Sequence, residues 1–154
     1  HKSEARALAL GLDDERALRA AHAAVSNGGA PVLVEEMADG EAELIVGVTT
    51  DGVVPALVIG AGGIWTEVLS DAAIVPLPAS VDRVEAAIRT LRAAALLSGG
   101  RGGEPLAIRE AAELAARCGE LAIREGLQLL ELNPVIVGRD GAVAADAIIA
   151  RAHA

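Results

Sequence analysis

The sequence predicts an α+β fold, in which hairpin-linked strands are interspersed with helices. Residues 50–52 separate apolar runs at 43–49 and 53–59, which is the pattern of a β-hairpin. A second hairpin is predicted at 127–149, and segments with helical spacing of apolar residues lie between the two hairpins. Because strands and helices do not alternate strictly, the pattern disfavours a parallel doubly wound sheet.

Capping residues and turn signals predict the other elements. Strands are expected at 6–12, 31–37 and 71–76, with another strand-like run at 64–69. Helices are expected to begin at the acidic residues 13–15, at Ser80 and at Pro105, and the last should end just before Gly126.

Composition limits the possible functions. The 154 residues are 53% hydrophobic with a single aromatic residue, which suits one packed domain or slightly less. The net charge of −9, without a basic run, disfavours a nucleic-acid partner. No apolar run could span a membrane, so a cytoplasmic protein is expected. Cys118 is the only cysteine, and its helical setting favours a structural thiol over a nucleophile.

The most informative motif is Glu131-Leu132-Asn133-Pro134, which Asp146 follows across the predicted last hairpin. Glu131 and Asn133 are two residues apart in a strand and so share one face. Two carboxylates and an amide oxygen are hard ligands that suit Mg²⁺. The alternative is a half-exposed hairpin whose polar residues simply face water.

Two turns of this hairpin would keep the three residues on one face, whereas a three-residue loop would break that arrangement unless a bulge restored the phase. A two-residue loop of Arg139-Asp140 would pair Asn133 with Asp146. A loop of Asp140-Gly141 would move Asp146 by one diagonal step and keep it on the same face.

Three further features could contact a ligand. The glycine-rich segment 60–63 could let backbone approach a phosphate, or it could be an ordinary hairpin turn. Glu35 and Glu36 could end a hinge strand that meets a base, or they could be solvated acids. Glu43 opens an apolar strand, where it could bind a ribose hydroxyl or lie at the rim.

Taken together and in order, these segments resemble the ATP-grasp part of ADP-forming acyl-CoA (acetate–CoA) ligases, relatives of succinyl-CoA synthetase β subunits. The resemblance covers essentially the whole chain and rests on residues 1–4 (His-Lys-Ser-Glu), 32–37, 43–47, 60–71, 131–134 and Asp146. It implies an ATP-grasp fold, consisting mainly of the second lobe (residues 38–154) with the end of the first lobe and its hinge strand (residues 1–37).

The resemblance also implies roles for single residues in binding ATP or ADP with Mg²⁺. Asn133 and Asp146 match the metal ligands, and Glu131 matches the acid beside the phosphoryl-transfer centre. Glu36 and Met37 match the hinge that meets adenine, Glu43 matches a ribose contact, and Gly62 and Gly63 match the phosphate loop. His1 matches a relay histidine, and Lys2 matches a further nucleotide contact.

The implied activity is acyl-CoA + ADP + phosphate ⇌ carboxylate + ATP + CoA through a phosphohistidine. The principal histidine would belong to a CoA-ligase portion in the same or a partner chain, and the rest of the first lobe would lie upstream of His1. Alone, this chain is expected to catalyse nothing.

The sequence departs from the family pattern at two places. The family's Gly-Gly is replaced at residues 5–8 by Ala-Arg-Ala-Leu, and residues 72–75 lack its arginine. These departures favour an alternative, a degenerate ATP-grasp module that senses nucleotide or acts as a scaffold. A plain α+β interaction domain is the second alternative.

Overall fold

The structure, a computed structural model, describes residues 8–26, 29–50, 52–63 and 71–151. The chain divides into two units, His1–Met37 and Ala38–Ala154. The helices are α1 (Glu15–Val25), α2 (Val81–Ile88), α3 (Ala94–Leu97) and α4 (Ile108–Glu125), with a 3-10 turn at Gly100–Gly102. The strands are β1 (Ala42–Thr49), β2 (Ala56–Ala61), β3 (Ala72–Pro76), β4 (Leu127–Val137), β5 (Ala142–Ala144) and β6 (Ala147–Arg151).

The first unit contains α1, and this helix begins where its acidic residues predict. The Asp14 side chain accepts a hydrogen bond from the N–H of Ala17 at 2.7 Å, which caps the helix N-terminus. Arg19 pairs with Glu15 one turn away at 2.6 Å. No residue of α1 is fully buried, so its apolar stripe finds only partial cover within this unit.

The strands predicted at 6–12 and 31–37 are wrong for the residues that the structure describes. Residues 8–12 and 29–37 form no strand. A strand needs a neighbouring edge to bond its N–H and C=O groups, and an apolar run by itself does not supply one. Leu33, Val34 and Met37 are accordingly exposed, by 77%, 64% and 53%.

The second unit is built on an antiparallel sheet of order β3-β2-β1-β4-β5, with β6 also paired to β4. The first predicted hairpin is present as β1 and β2. Its loop is longer than predicted and β2 begins only at Ala56, because Pro55 has no N–H to offer a ladder. The strand predicted at 64–69 lies outside the described residues.

The helices α2 and α4 begin and end close to the predicted residues. Ser80 caps α2 by accepting the N–H of Arg83 at 3.3 Å. The helix α4 starts three residues after Pro105, and the N–H groups of Leu106 and Ala107 just before it donate to the carbonyl oxygens of Leu97 and Gly138. Gly126 ends α4 with a φ of 61°, the left-handed conformation that favours glycine.

The core lies between one face of the sheet and these helices. Among the described residues, no polar or charged side chain is fully buried. The largest fully buried side chains are Leu44, Val46, Val48, Leu57, Ile59, Val84, Ile88, Leu97, Val135 and Val137. Each stabilises the fold by roughly 1.5–3 kcal/mol through removal of apolar area from water. The α+β class predicted from the sequence is confirmed, and the other face of the sheet, termed the outer face, is left outside the core.

Candidate functional site

The last hairpin adopts the first of the two predicted turns. Val137 pairs with Ala142, and Gly138 donates its N–H to the carbonyl oxygen of Gly141 at 2.9 Å, which leaves Arg139 and Asp140 as the two-residue loop. Five residues along each strand from the Gly138–Gly141 pair, the N–H of Asn133 donates to the carbonyl oxygen of Asp146 at 3.2 Å. The predicted pairing of Asn133 with Asp146 is therefore confirmed.

Glu131 and Asn133 lie together on β4. The Nδ2 of Asn133 donates to the Oε1 of Glu131 at 3.3 Å, so the two side chains lie on one side of the strand, as predicted. Leu130 and Leu132 point into the core, and Glu131 therefore points to the outer face. Between Leu132 and Val135 the register with β1 shifts by one residue, which brings Val135 back into the core beyond Asn133.

Asp146 lies in the short break between β5 and β6. Its Oδ1 accepts the N–H of Ala147 at 2.9 Å, and the residue is half-buried. The backbone pairing brings Asp146 opposite Asn133. A shared metal contact of the two side chains stays a prediction.

The polar atoms at this site fit a hard divalent cation. The amide nitrogen of Asn133 is directed at Glu131, so the oxygen of the same amide is the atom suited to a metal. Among the described residues, no group of three acidic, histidine or cysteine side chains could hold a metal. A metal at this site would therefore need the amide oxygen beside the carboxylates, a donor set that suits Mg²⁺, which also keeps water ligands.

The predicted Glu43 and glycine loop are brought into direct contact. The N–H of Gly62 donates to the carbonyl oxygen of Glu43 at 2.8 Å. A Cβ atom at Gly62 would lie 2.9 Å from the Cβ of Glu43, and one at Gly63 would lie 3.0 Å from the Glu43 Oε2. Gly63 also has a φ of +65°. The loop therefore requires glycine for close approach to Glu43, a reason that spacing alone does not reveal.

The other predicted site residues are His1, Lys2, Glu36 and Met37. His1 and Lys2 lie outside the described residues. Glu36 and Met37 belong to the first unit, where both are exposed in the segment that forms no strand. Their contact with adenine stays a prediction.

Asp71 has a structural role that its position in the motif does not reveal. Its carboxylate accepts the N–H groups of Arg92 at 3.0 Å and Ala93 at 2.9 Å. The residue thereby ties the start of β3 to the turn that precedes α3. A lone Asp after an apolar run gives no sequence signal for so distant a partner.

The strands around the site carry more acidic than basic side chains. The strands β1 to β5 contain no lysine or arginine, and β6 carries Arg151 at its end, opposite Leu127, whereas Glu43 and Glu131 are both on the sheet. Two cations elsewhere in this unit are already paired. A hydrogen bond to Glu41, together with the charges of Glu41 and Glu104, raises the pKa of Arg139. Hydrogen bonds to Asp82 and Glu85 raise the pKa of Arg109. A polyphosphate beside Glu131 would meet no cation on β1 to β5, so a metal ion or cations from outside these strands would have to neutralise it.

Cys118 is partly buried on α4. Burial raises the pKa of its thiol, which keeps the sulfur protonated and weakly nucleophilic. This agrees with the predicted structural thiol. Separately, no helix among the described residues is both long enough and apolar enough to cross a bilayer.

Residues 1–150 match the ATP-grasp domain family. The β subunit of acetate–CoA ligase [ADP-forming] I from Pyrococcus furiosus is 34% identical over 107 residues, which cover 68% of this chain and 46% of that protein. The 4-hydroxybutyrate–CoA ligase [ADP-forming] of Nitrosopumilus maritimus is 33% identical over 71% of this chain and 16% of its own length. The chain thus spans less than half of the length of these relatives.

A solved structure shares the fold over nearly the whole chain. It is the dinucleotide forming acetyl-coenzyme A synthetase 1 of Ca. Korarchaeum cryptofilum, in complex with coenzyme A and Mg-AMPPCP. The TM-score is 0.87 and the identity 30%, with 99% of this chain and 71% of that chain covered. The predicted ATP-grasp fold is confirmed by this match, and the assignment of residues to its two lobes stays a prediction.

Proposed function

Because this chain belongs to the ATP-grasp family, we propose that it is the nucleotide-binding portion of an ADP-forming acyl-CoA synthetase. The reaction converts acyl-CoA, ADP and phosphate into a carboxylate, ATP and CoA. A phosphohistidine carries the phosphoryl group between the nucleotide site and the acyl-CoA site.

The observation that carries this proposal is the grouping of hard oxygen ligands on the last hairpin. Glu131 contacts Asn133, and Asn133 pairs through its backbone with Asp146. This grouping lies in a chain that shares its fold with a synthetase solved with Mg-AMPPCP. A half-exposed hairpin without function would explain the polarity, but not the combination of ligands with the fold.

Each residue has a distinct task in the proposal. Mg²⁺, when bound, neutralises the phosphates and holds them in line for transfer. The Asn133 amide oxygen and the Asp146 carboxylate would hold that ion, and Glu131 would lie beside the transferring phosphoryl group. The Gly62 and Gly63 backbone, packed on Glu43, would border the phosphates while Glu43 meets the ribose. Lys2 would supply a cation and His1 a relay for the phosphoryl group.

The proposal includes partners and a location. The acyl and CoA sites would lie in a CoA-ligase portion of the same polypeptide or of a partner chain. The relative from Pyrococcus furiosus is named as a β subunit, which fits such an arrangement. The first unit would complete its lobe with further chain, and the assembled protein would work in the cytoplasm.

Acyl-CoA synthesis by the whole protein, with its CoA-ligase portion, tests this function. We expect Asn133→Ala to lower kcat/KM by about a hundredfold or more, beyond the usual effect of removing a group that only supports a metal ligand. Asp140→Asn, at the exposed tip of the same hairpin, is the control and should retain activity. If the whole protein bound no Mg·ATP and Asn133→Ala left acyl-CoA synthesis unchanged, the proposal would be overturned.

A nucleotide sensor or scaffold is the second candidate, and one observation favours it. Where the family often carries an arginine, residues 72–75 offer no cation, and Ile74 in this segment is 70% exposed on the outer face and pairs with Val58 of β2. An isoleucine cannot neutralise a phosphate. Metal-dependent binding of ATP by the whole protein, without acyl-CoA turnover for any acyl group tried, would support a sensor. The absence of any nucleotide binding would support a scaffold.

A further inference from the structure

Gly47 occupies the middle of the outer face of the sheet. It pairs with Val58 on one side and with Glu131 on the other. The row continues to Ile74 on β3 and to Ile148 on β6, which are 70% and 55% exposed. Gly47 is thus the residue without a side chain in the middle of a cross-strand row whose ends carry large apolar side chains.

Neither backbone conformation nor packing requires a glycine at this position. Gly47 is absent from the described glycines with positive φ, so an L-residue could adopt its conformation. A Cβ atom at Gly47 would meet no described atom within 4 Å. Gly62 differs, since its Cβ would collide with Glu43, and so does Gly40, whose Cβ would collide with Ile136.

A glycine inside a strand weakens it, because its backbone loses more freedom on folding and it packs no side chain. Within the described fold nothing compensates for that loss at Gly47. The alternative reason for a glycine in a strand is that something outside the fold must approach closely.

We propose that Gly47 keeps the space beside Glu131 open for the phosphate end of a bound Mg·nucleotide, and thereby determines which ligand fits the sheet. This inference rests on the proposed function. The phosphate end is favoured over the base because the neighbouring groups, Glu131 and its partner Asn133, offer hard oxygen atoms suited to a metal and its phosphates. A side chain at residue 47 would fill this space without disturbing the fold.

The test compares folding with binding in the whole protein. Calorimetric titrations with Mg·ADP and Mg·AMPPCP would be run on the wild type, Gly47→Ala and Gly47→Val, alongside urea unfolding of each. Ala72→Val is the control, because it adds bulk at an exposed edge position of the same sheet. We expect both Gly47 variants to unfold at the wild-type urea concentration or above it. Their Kd for Mg·AMPPCP should rise about tenfold or more, with valine worse than alanine.

The remaining outcomes separate this inference from the proposed function. The increase in Kd should be larger for Mg·AMPPCP than for Mg·ADP, and Ala72→Val should leave both unchanged. Wild-type binding that Gly47→Ala does not alter would overturn the inference and leave the proposed function intact. If Gly47→Ala lowered the stability of the protein, the fold itself would need glycine at this position, and the inference would also be overturned. Failure of the wild type to bind either nucleotide would instead refute the proposed function.

Discussion

Asn133 and Asp146 face each other across the last hairpin, and the Asn133 N–H donates to the Asp146 carbonyl oxygen at 3.2 Å. The residues are thirteen positions apart, yet a two-residue turn at Arg139 and Asp140 sets their pairing. If the pairing of the two hairpin strands shifted by one residue, Asp146 would lie opposite a different residue. The proposed metal site therefore depends on turn chemistry at the far end of the hairpin.

Gly62→Ala is expected to destabilise the protein and to displace Glu43. The new Cβ would lie 2.9 Å from the Cβ of Glu43 and 3.0 Å from its backbone carbon, and neither atom can swing away. Overpacking of this kind costs about 1–3 kcal/mol. Urea unfolding would measure it.

The matched control for that variant is Gly52→Ala. Its Cβ would meet the Val54 carbonyl oxygen at an ordinary 3.4 Å, so its stability should stay within about 0.5 kcal/mol of wild type. Equal stability of the Gly62→Ala and Gly52→Ala variants would contradict the close packing between the loop and Glu43.

Glu85→Gln is expected to make stability less dependent on acid pH. Hydrogen bonds from Arg89 at 2.7 Å and Arg109 at 3.1 Å lower the pKa of the Glu85 carboxyl below its ordinary 4.5. A carboxyl with a lowered pKa stabilises the fold above its unfolded value, and that contribution is lost as pH falls through the folded value. Urea unfolding should show the wild type above the variant at pH 7, with the gap closing below about pH 4.5. A gap that stays constant down to pH 3 would argue against this ion pair.

Cys118 is expected to react slowly with iodoacetamide in the folded protein. Burial raises the pKa of its thiol, and the thiolate is the reactive form. Mass spectrometry at pH 8 should show the folded protein modified much more slowly than the urea-unfolded one. Equal rates in the two states would mean an accessible thiol and would reopen a chemical role for Cys118.

The sequence pattern predicts those elements whose signals are local. The Asp14 and Ser80 caps, the Gly126 terminus and the β1–β2 pairing all follow from short-range chemistry, and the structure has them. The run at 31–37 also looks like a strand, but an apolar run cannot show whether a partner edge exists.

The site was predictable in part for the same reason. Period-two spacing places Glu131 and Asn133 on one face of β4, and the turn places Asp146 opposite. Contacts between distant segments gave no such signal. The packing of Gly62 on Glu43 and the anchoring of Arg92 by Asp71 depend on how strands and turns meet in three dimensions.

The Mg²⁺ dependence of ATP binding is the sharpest test of the metal site proposed on the last hairpin. Because β1 to β5 carry no lysine or arginine, ATP should bind the whole protein at least tenfold more tightly with Mg²⁺ than with a chelator, an effect of about 1.4 kcal/mol. Asp146→Asn removes one charge without changing the shape of the side chain and should abolish most of that difference. Asp140→Asn makes the same change at the exposed turn and should preserve it. An equal Mg²⁺ effect in wild type and Asp146→Asn would contradict a metal site on this hairpin.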